Sequence, residues 1–252
     1  MVTIKMLEEN ENEIKFTLDK TTPEFANELR RAAMFEVPTL AVDDVYFTKN
    51  SSALYDEILA HRLGLVVLKT PDGYNLANDC TCSGKLCAKC SVKMVLKAKG
   101  PVIVYAKDMK LKDPEVKVVY PETIIVKLLE GQEIELEAVA ILGKGKEHAK
   151  WCAGHAYYLG TPEIEATKDA DAKAVLEKVP VVEKSGKGLE IKDITKWNEA
   201  YGEICQDNGF VVKNSESQFI YTLESWGSKS PQEILVEAAD LIRQKAKSAK
   251  IK

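Results

Sequence analysis

Four cysteines, Cys80, Cys82, Cys87 and Cys90, fall within eleven residues in a C-x-C-x4-C-x2-C spacing. No other feature of the chain constrains its folding as tightly, because four thiolates in one short loop can close a tetrahedron around Zn²⁺. Gly84 lets the backbone fold back between the two ligand pairs. Lys85 and Lys89 partly offset the net negative charge of a Zn(Cys)₄ site. An iron–sulfur cluster is the rival occupant, since four cysteines also suffice there. The C-x-C start departs from ferredoxin spacings and favours zinc. With four protein ligands no coordination position stays open for a substrate, so the expected role is structural. Cys152 and Cys205 stand apart.

Reading the quartet as ligands rather than disulfides requires a reducing compartment. The N-terminal segment MVTIKMLEENENE turns acidic at once and lacks the apolar stretch of an export signal, which predicts a cytoplasmic protein. No apolar run approaches the roughly 20 residues of a membrane helix. The 252 residues fit two compact domains, or one domain interrupted by another. With 35 Lys+Arg against 39 Asp+Glu, the net charge of −4 argues against direct nucleic-acid binding by phosphate neutralisation.

Hydrophobic periodicity predicts an alternating strand over Glu13–Leu18. Thr22-Pro23-Glu24 opens a helix that Pro38 ends, with Phe25, Leu29 and Ala32/Ala33 on one face. A strand at Leu40–Phe47 is expected to put Leu40, Val42 and Asp44 on one side and Val45 and Phe47 on the other. A helix from Ser51 to about Leu63 should close on a left-handed Gly64, followed by a short strand Leu65–Leu68. Strands are expected at Val92–Ala98, Val102–Ala106, Thr123–Leu129 and Ile134–Leu142. Beyond about 164 come a charged helix Ala166–Lys178, a strand Val179–Val182 and a turn Ser185-Gly186-Lys187-Gly188. A helix marked by Trp197, Tyr201 and Ile204 should stop at Asn208-Gly209, before a last strand Phe219–Leu223. Ser230-Pro231-Gln232-Glu233 is a capping box opening a helix striped by Ile234, Leu235, Ala238, Leu241 and Ile242, which leads to a basic tail.

Other constellations imitate active sites. Cys152, His148 and His155 resemble a Cys/His pair but lack an orienting partner or nucleophile elbow, so they read as a small buried thiol and loop histidines. His61 reads as an interface or packing residue, and Lys144, Lys146, His148 and Lys150 as a solvated basic face. Walker A, GxGxxG and HExxH patterns are absent.

Three consecutive stretches, Phe25–Arg31, Val37–Val45 and Leu54–Leu65, resemble the D subunit of archaeal RNA polymerase, the relative of the bacterial α subunit and of the third-largest eukaryotic polymerase II subunit. The resemblance continues through Cys80–Val92, which is similar to the family's zinc loop, through Leu128–Ala138 and Gly143–Trp151, and closes at Leu223–Gly227 and the capped last helix. It implies an α+β chain with a discontinuous dimerisation domain, residues 1–48 and 212–252. A β-rich zinc-loop insert, 49–163, and a small ferredoxin-like domain, 164–211, would be looped out between. Two departures stand out. The middle cysteines are four residues apart where relatives often have three, and Cys205 is the lone thiol in 164–211, so an iron–sulfur cluster is not expected there.

The resemblance further implies a structural Zn²⁺ on Cys80, Cys82, Cys87 and Cys90 and a heterodimer with the polymerase's L subunit. That dimer would form through Phe25, Leu29, Ala33, Ile234, Leu235, Leu241 and Ile242 and recruit the large catalytic subunits. On this reading the chain has no catalytic residues; the Mg²⁺-binding carboxylates of RNA synthesis belong to the largest subunit. For any single residue of the two helical stripes, closing this chain's own core is an equally good role. A free zinc- or iron–sulfur-binding redox protein and a Cys/His hydrolase at Cys152 are the competing functions.

Overall fold

A computed structural model describes residues 2–186 and 188–249; Lys187 of the expected turn and the end of the basic tail lie outside the described residues. In chain order the strands are β1 Thr3–Glu9, β2 Glu13–Asp19, β3 Pro38–Asn50, β4 Ser91–Lys99, β5 Val102–Tyr105 and β6 Lys110–Leu111. They continue with β7 Ile124–Leu128, β8 Glu133–Lys144, β9 Gly154–Ala166, β10 Val182–Ser185, β11 Gly188–Ile191 and β12 Phe210–Ser225. The α-helices are α1 Pro23–Phe35, α2 Asp56–Gly64, α3 Ala172–Lys178, α4 Glu199–Asp207 and α5 Pro231–Ser248. The result is a mixed α and β fold that divides into two compact units.

The first unit gathers Met1–Asn10, Ile14–Glu28 and Tyr157–Thr222. Its four-stranded sheet has the order β1-β2-β12-β9. Ile14, Phe16 and Leu18 alternate inward from β2 and are fully buried, as the period of two requires. Tyr221 stacks on Phe16 with centroids 5.0 Å apart, and Tyr158 stands edge-on to Phe219 at 5.4 Å. The start of α1 is fixed by Thr22, whose Oγ1 accepts the Phe25 N–H at 3.4 Å. A separate small core joins Val175 and Val179 of the α3 segment, Leu189 of β11, Cys205 of α4 and Phe210.

The second unit comprises Glu11–Glu13, Leu29–Ala156 and Leu223–Lys252. It contains the sheet β3-β8-β4-β6 and the two-stranded β5-β7. Leu59 and Leu63 of α2 pack with Met94, Leu96, Ile134 and Leu136 in one core. On the opposite face of β8, Glu133, Glu135 and Glu137 meet Lys49, Lys97 and Lys93 at 2.9, 3.0 and 2.9 Å. α5 opens with the expected capping box: Ser230 Oγ accepts the Glu233 N–H at 3.2 Å, and the Glu233 carboxylate accepts the Ser230 N–H at 2.7 Å.

Several expectations are corrected. Val45 and Phe47 pack into the same core as Leu40 and Val42 instead of facing away. The register skips between Val42 and Asp44, so Asp43 is the extra residue of a β-bulge and the alternation restarts in phase with the core. α2 begins at Asp56 rather than Ser51. The Asn50 side chain holds the intervening turn by accepting the Ser52 N–H at 3.1 Å and donating to the Leu54 carbonyl at 2.9 Å. Gly64 is the last residue of α2 and is not left-handed; Leu65 caps the helix with φ −90°. Leu65–Leu68 makes one isolated bridge, Leu68 to Val118, in place of a strand.

Beyond 164, α3 starts at Ala172, where Asp171 accepts the Lys173 and Ala174 N–H groups, and not at Ala166. Val179 ends that helix instead of starting a strand, and the following strand is β10. β1, β6, β9 and β11 have no counterpart among the expected strands, and β12 is far longer than Phe219–Leu223.

Candidate functional site

The four clustered cysteines converge. A 3-10 turn, Ala77–Asp79, delivers Cys80, and the start of β4 follows directly on Cys90. Between them Ser83, Gly84 and Leu86 take φ of 52°, 83° and 50°, left-handed values that reverse the chain twice within four residues. Cys87 is the pivot of the second half: its carbonyl accepts the Cys90 and Ser91 N–H groups at 3.0 Å each and the Ser91 hydroxyl at 3.1 Å. Cys80 and Cys90 are buried, while Cys82 and Cys87 are half-buried.

The Sγ atoms of Cys80 and Cys87 lie 3.6 Å apart, those of Cys82 and Cys90 3.6 Å, and those of Cys87 and Cys90 3.9 Å. All four Sγ atoms lie within 4.8 Å of one another. A Zn–S distance of about 2.3 Å implies a tetrahedron whose edges are about 3.8 Å. The sulfurs therefore fit one ion, whereas a cluster of several irons would need them farther apart. A backbone hydrogen bond at Cys87 pulls the Cys82 thiol down to about 6, and burial pushes Cys90 up to about 12. A divalent cation at the centre would displace the thiol protons and hold the thiolates in place. Held by four protein ligands, such an ion would act mechanically, tying the two ends of the loop together.

The Cys152 constellation does not make a nucleophile pair. Burial pushes the Cys152 thiol up, which favours the unreactive protonated form. His148 is occupied in a 3-10 turn, its Nδ1 accepting the Lys150 N–H at 3.0 Å. The basic run is also not a uniformly solvated face. Lys150 reaches Asp43 at 2.6 Å and lies 4.2 Å from the Trp151 ring centroid, while Lys144 pairs with Glu36 at 3.8 Å. Asp43, the bulge residue, went unmarked in the sequence because a bulge leaves no periodic signal. Cys205 is fully buried among apolar side chains, a core role for the lone thiol of 164–211.

The residues of the two helical stripes divide by exposure. Leu29 is 3% exposed and Ala33 and Ile234 are fully buried within the chain. Phe25 is 38% exposed, and Leu235, Leu241 and Ile242 are half-buried. Val236, with no place in the expected face, is 62% exposed. Among the described residues no helix is long and apolar enough to cross a membrane.

Residues 45–155 match the family described as RNA polymerase Rpb3/RpoA insert domain. Over nearly its whole length the chain is similar to proteins named DNA-directed RNA polymerase subunit Rpo3. It is 37% identical to that of Methanosphaera stadtmanae, over 97% of this chain and 96% of the relative. The Methanothermobacter thermautotrophicus protein is 37% identical over 96% of both chains. The Pyrococcus furiosus protein is 39% identical over 97% of this chain and 94% of its own.

Proposed function

The chain belongs to the Rpo3 family of archaeal DNA-directed RNA polymerase subunits, and from that premise we propose how its parts serve assembly of the polymerase. It is a non-catalytic subunit, part of an enzyme only within the complex. The observation that carries this reading is end-to-end similarity: 37% identity extends over 97% of this chain and 96% of a named Rpo3 subunit.

The proposed direct partner is the polymerase's L subunit, in a one-to-one heterodimer onto which the large catalytic subunits assemble. Phe25 on α1 and Leu235, Leu241 and Ile242 on α5 are the members of the expected face that remain open to a partner. Leu29, Ala33 and Ile234 are buried within the chain. In this reading the dimerisation domain comprises 1–48 and 212–252, the insert 49–163 carries the metal loop, and 164–211 is a ferredoxin-like domain without a cluster.

Zn²⁺ is the proposed ion at Cys80, Cys82, Cys87 and Cys90, supported by the 3.6–3.9 Å sulfur separations and the all-thiolate ligand set. Four protein ligands give it a structural role. Coexpression with an archaeal L subunit, followed by measurement of complex mass, tests the partner assignment. A one-to-one complex is expected, and two separately sedimenting chains would overturn it.

A further inference from the structure

The turn that gathers the four cysteines also sets which of them face each other. Left-handed Ser83, Gly84 and Leu86 fold the half carrying Cys87 and Cys90 back onto the half carrying Cys80 and Cys82. The two shortest sulfur separations, 3.6 Å for Cys80 with Cys87 and 3.6 Å for Cys82 with Cys90, run across this turn. They share no member and together use all four thiols. We propose that the loop is a redox device: without its ion, hydrogen peroxide closes two crossed disulfides, Cys80–Cys87 and Cys82–Cys90, which bar the ion until a dithiol reopens them. The proposal rests on the reading of the quartet as a metal loop and adds what its thiols do when the ion leaves.

Four cysteines can pair in three ways, and burial together with distance selects one. Cys80 and Cys90 are buried, whereas Cys82 and Cys87 are half-buried. Pairing Cys80 with Cys90 would join two thiols that are both shielded from an oxidant. Pairing along the chain would join Cys87 to Cys90 across the longer separation of 3.9 Å and leave Cys80 to Cys82. The crossed pairing gives each bridge one accessible and one buried thiol at the shorter distance. Each pair closes from 3.6 Å to the roughly 2.05 Å of a disulfide, a movement of about 1.5 Å that side-chain rotation covers. The backbone hydrogen bonds that shape the loop involve no sulfur, so this closure leaves them made: the Cys80, Cys82 and Cys87 carbonyls accept the Ser83, Lys85 and Cys90 N–H groups at 3.2, 3.3 and 3.0 Å.

The half-buried thiolate of Cys82 or Cys87 attacks one peroxide oxygen. The S–O bond forms, the O–O bond breaks, and the second oxygen leaves as hydroxide that takes up a proton to become water. The buried thiol of Cys90 or Cys80 then attacks the sulfenic sulfur. The S–S bond forms, the S–O bond breaks, and a second water leaves with that thiol's proton. Each bridge thus gives two electrons to one peroxide. A dithiol returns both pairs to thiols by exchange and is itself oxidised to its disulfide. A bridged sulfur has no thiolate to offer a cation, so bridges and ion exclude each other.

The test uses the full chain, stripped of metal by a chelator under reductant and then given about two equivalents of hydrogen peroxide. Trypsin acting after Lys69, Lys85, Lys89 and Lys93 yields peptides 70–85, 86–89 and 90–93, which carry Cys80 with Cys82, Cys87, and Cys90 respectively. Mass spectrometry without reduction is expected to find all three joined, with fragmentation between Cys80 and Cys82 assigning Cys80 to peptide 86–89 and Cys82 to peptide 90–93. The opposite assignment, a free peptide 70–85, a bridge to Cys152 or Cys205, or four thiols still open to alkylation would overturn the proposal. In Cys87→Ser, Cys82 and Cys90 should still pair and Cys80 stay free; a bridge at Cys80 there would also overturn it. Zinc uptake should fall from about one ion per reduced chain to nearly none after oxidation and return with dithiothreitol, and undiminished uptake by the bridged chain would contradict the exclusion. If the reduced chain takes up no zinc, the metal reading falls and the device with it. If it takes up zinc but the thiols pair otherwise or not at all, the device alone is overturned.

Discussion

Replacing Gly143 by alanine should damage the second unit far more than a single methyl group suggests. Gly143 pairs with Thr39 across β3 and β8, and a Cβ built on it would stand 2.3 Å from Trp151 Cδ2 and 2.4 Å from Cε2. Real carbon contacts lie at about 3.5–4.0 Å, so the indole must move by more than an ångström or the sheet must bend. Trp151 is held on several sides and cannot move freely. Its Nε1 donates to the Ile141 carbonyl at 3.2 Å, its carbonyl accepts the Thr39 hydroxyl at 2.9 Å, and Lys150 lies over its ring. Overpacking costs about 1–3 kcal/mol. The displaced indole hydrogen bond adds about 1 kcal/mol, and the cation–π contact about 0.5–1 kcal/mol. The sum is about 2.5–5 kcal/mol, or a fall in Tm of about 5–20 °C for a chain of this size. Thermal melting followed by tryptophan fluorescence measures it. A Tm within about 2 °C of the parent would refute the argument, because it would mean that the indole has room that the packing denies it.

Purified protein should contain about one zinc per chain by elemental analysis, and iron with acid-labile sulfide in its place would remove the zinc assignment. Leu29→Asp and Leu241→Asp should fail differently. The first buries an unpaired charge and destabilises the isolated chain by about 3–5 kcal/mol, whereas the second leaves Tm nearly unchanged but abolishes the complex with the L subunit. Undiminished binding of that subunit by Leu241→Asp would move the interface elsewhere.

The Tyr74–Asp113 pair should be visible in the pH dependence of stability. The Tyr74 hydroxyl holds the Asp113 carboxyl below its usual range, while burial, with help from Asp113, pushes the Tyr74 phenol up. A lowered acid contributes stability above its unfolded pKa of about 4 and loses it as pH falls through the folded value; a raised phenol contributes below about 10 and loses it as pH rises through its folded value. The parent should therefore exceed Asp113→Asn in stability most clearly between about pH 4 and 10, and a constant difference across the acid limb in urea titrations would contradict this.

Features set by local chemistry were legible in the sequence and agree with the structure. Thr22-Pro23 and Ser230-Pro231 start α1 and α5 because capping involves only residues within one turn. β4 and β8 follow their alternation, since one side of each lies against the core and the other carries Lys or Glu. The cysteine spacing announces that the four thiols can converge for the same reason: they are close in the chain, so few backbone paths separate them. The family resemblance adds order along the chain, and comparison with Rpo3 subunits supports it.

Tertiary structure decided the rest. The bulge at Asp43 returns Val45 and Phe47 to the core because the long ladder with β8 absorbs one extra residue, a choice no alternating pattern records. Asp43 meets Lys150 across 107 positions of chain, a separation over which no local pattern operates. β12 extends over 16 residues although Lys213–Glu216 is polar, since strand pairing is satisfied by backbone groups whatever the side chains. The apolar stripes of α1 and α5 were legible, but how much of each the chain buries itself was not. Leu29 and Ile234 share the periodicity of Phe25 and Leu241, and only packing distinguishes those fully enclosed from those left partly exposed, because periodicity assigns a face and burial depends on what covers it.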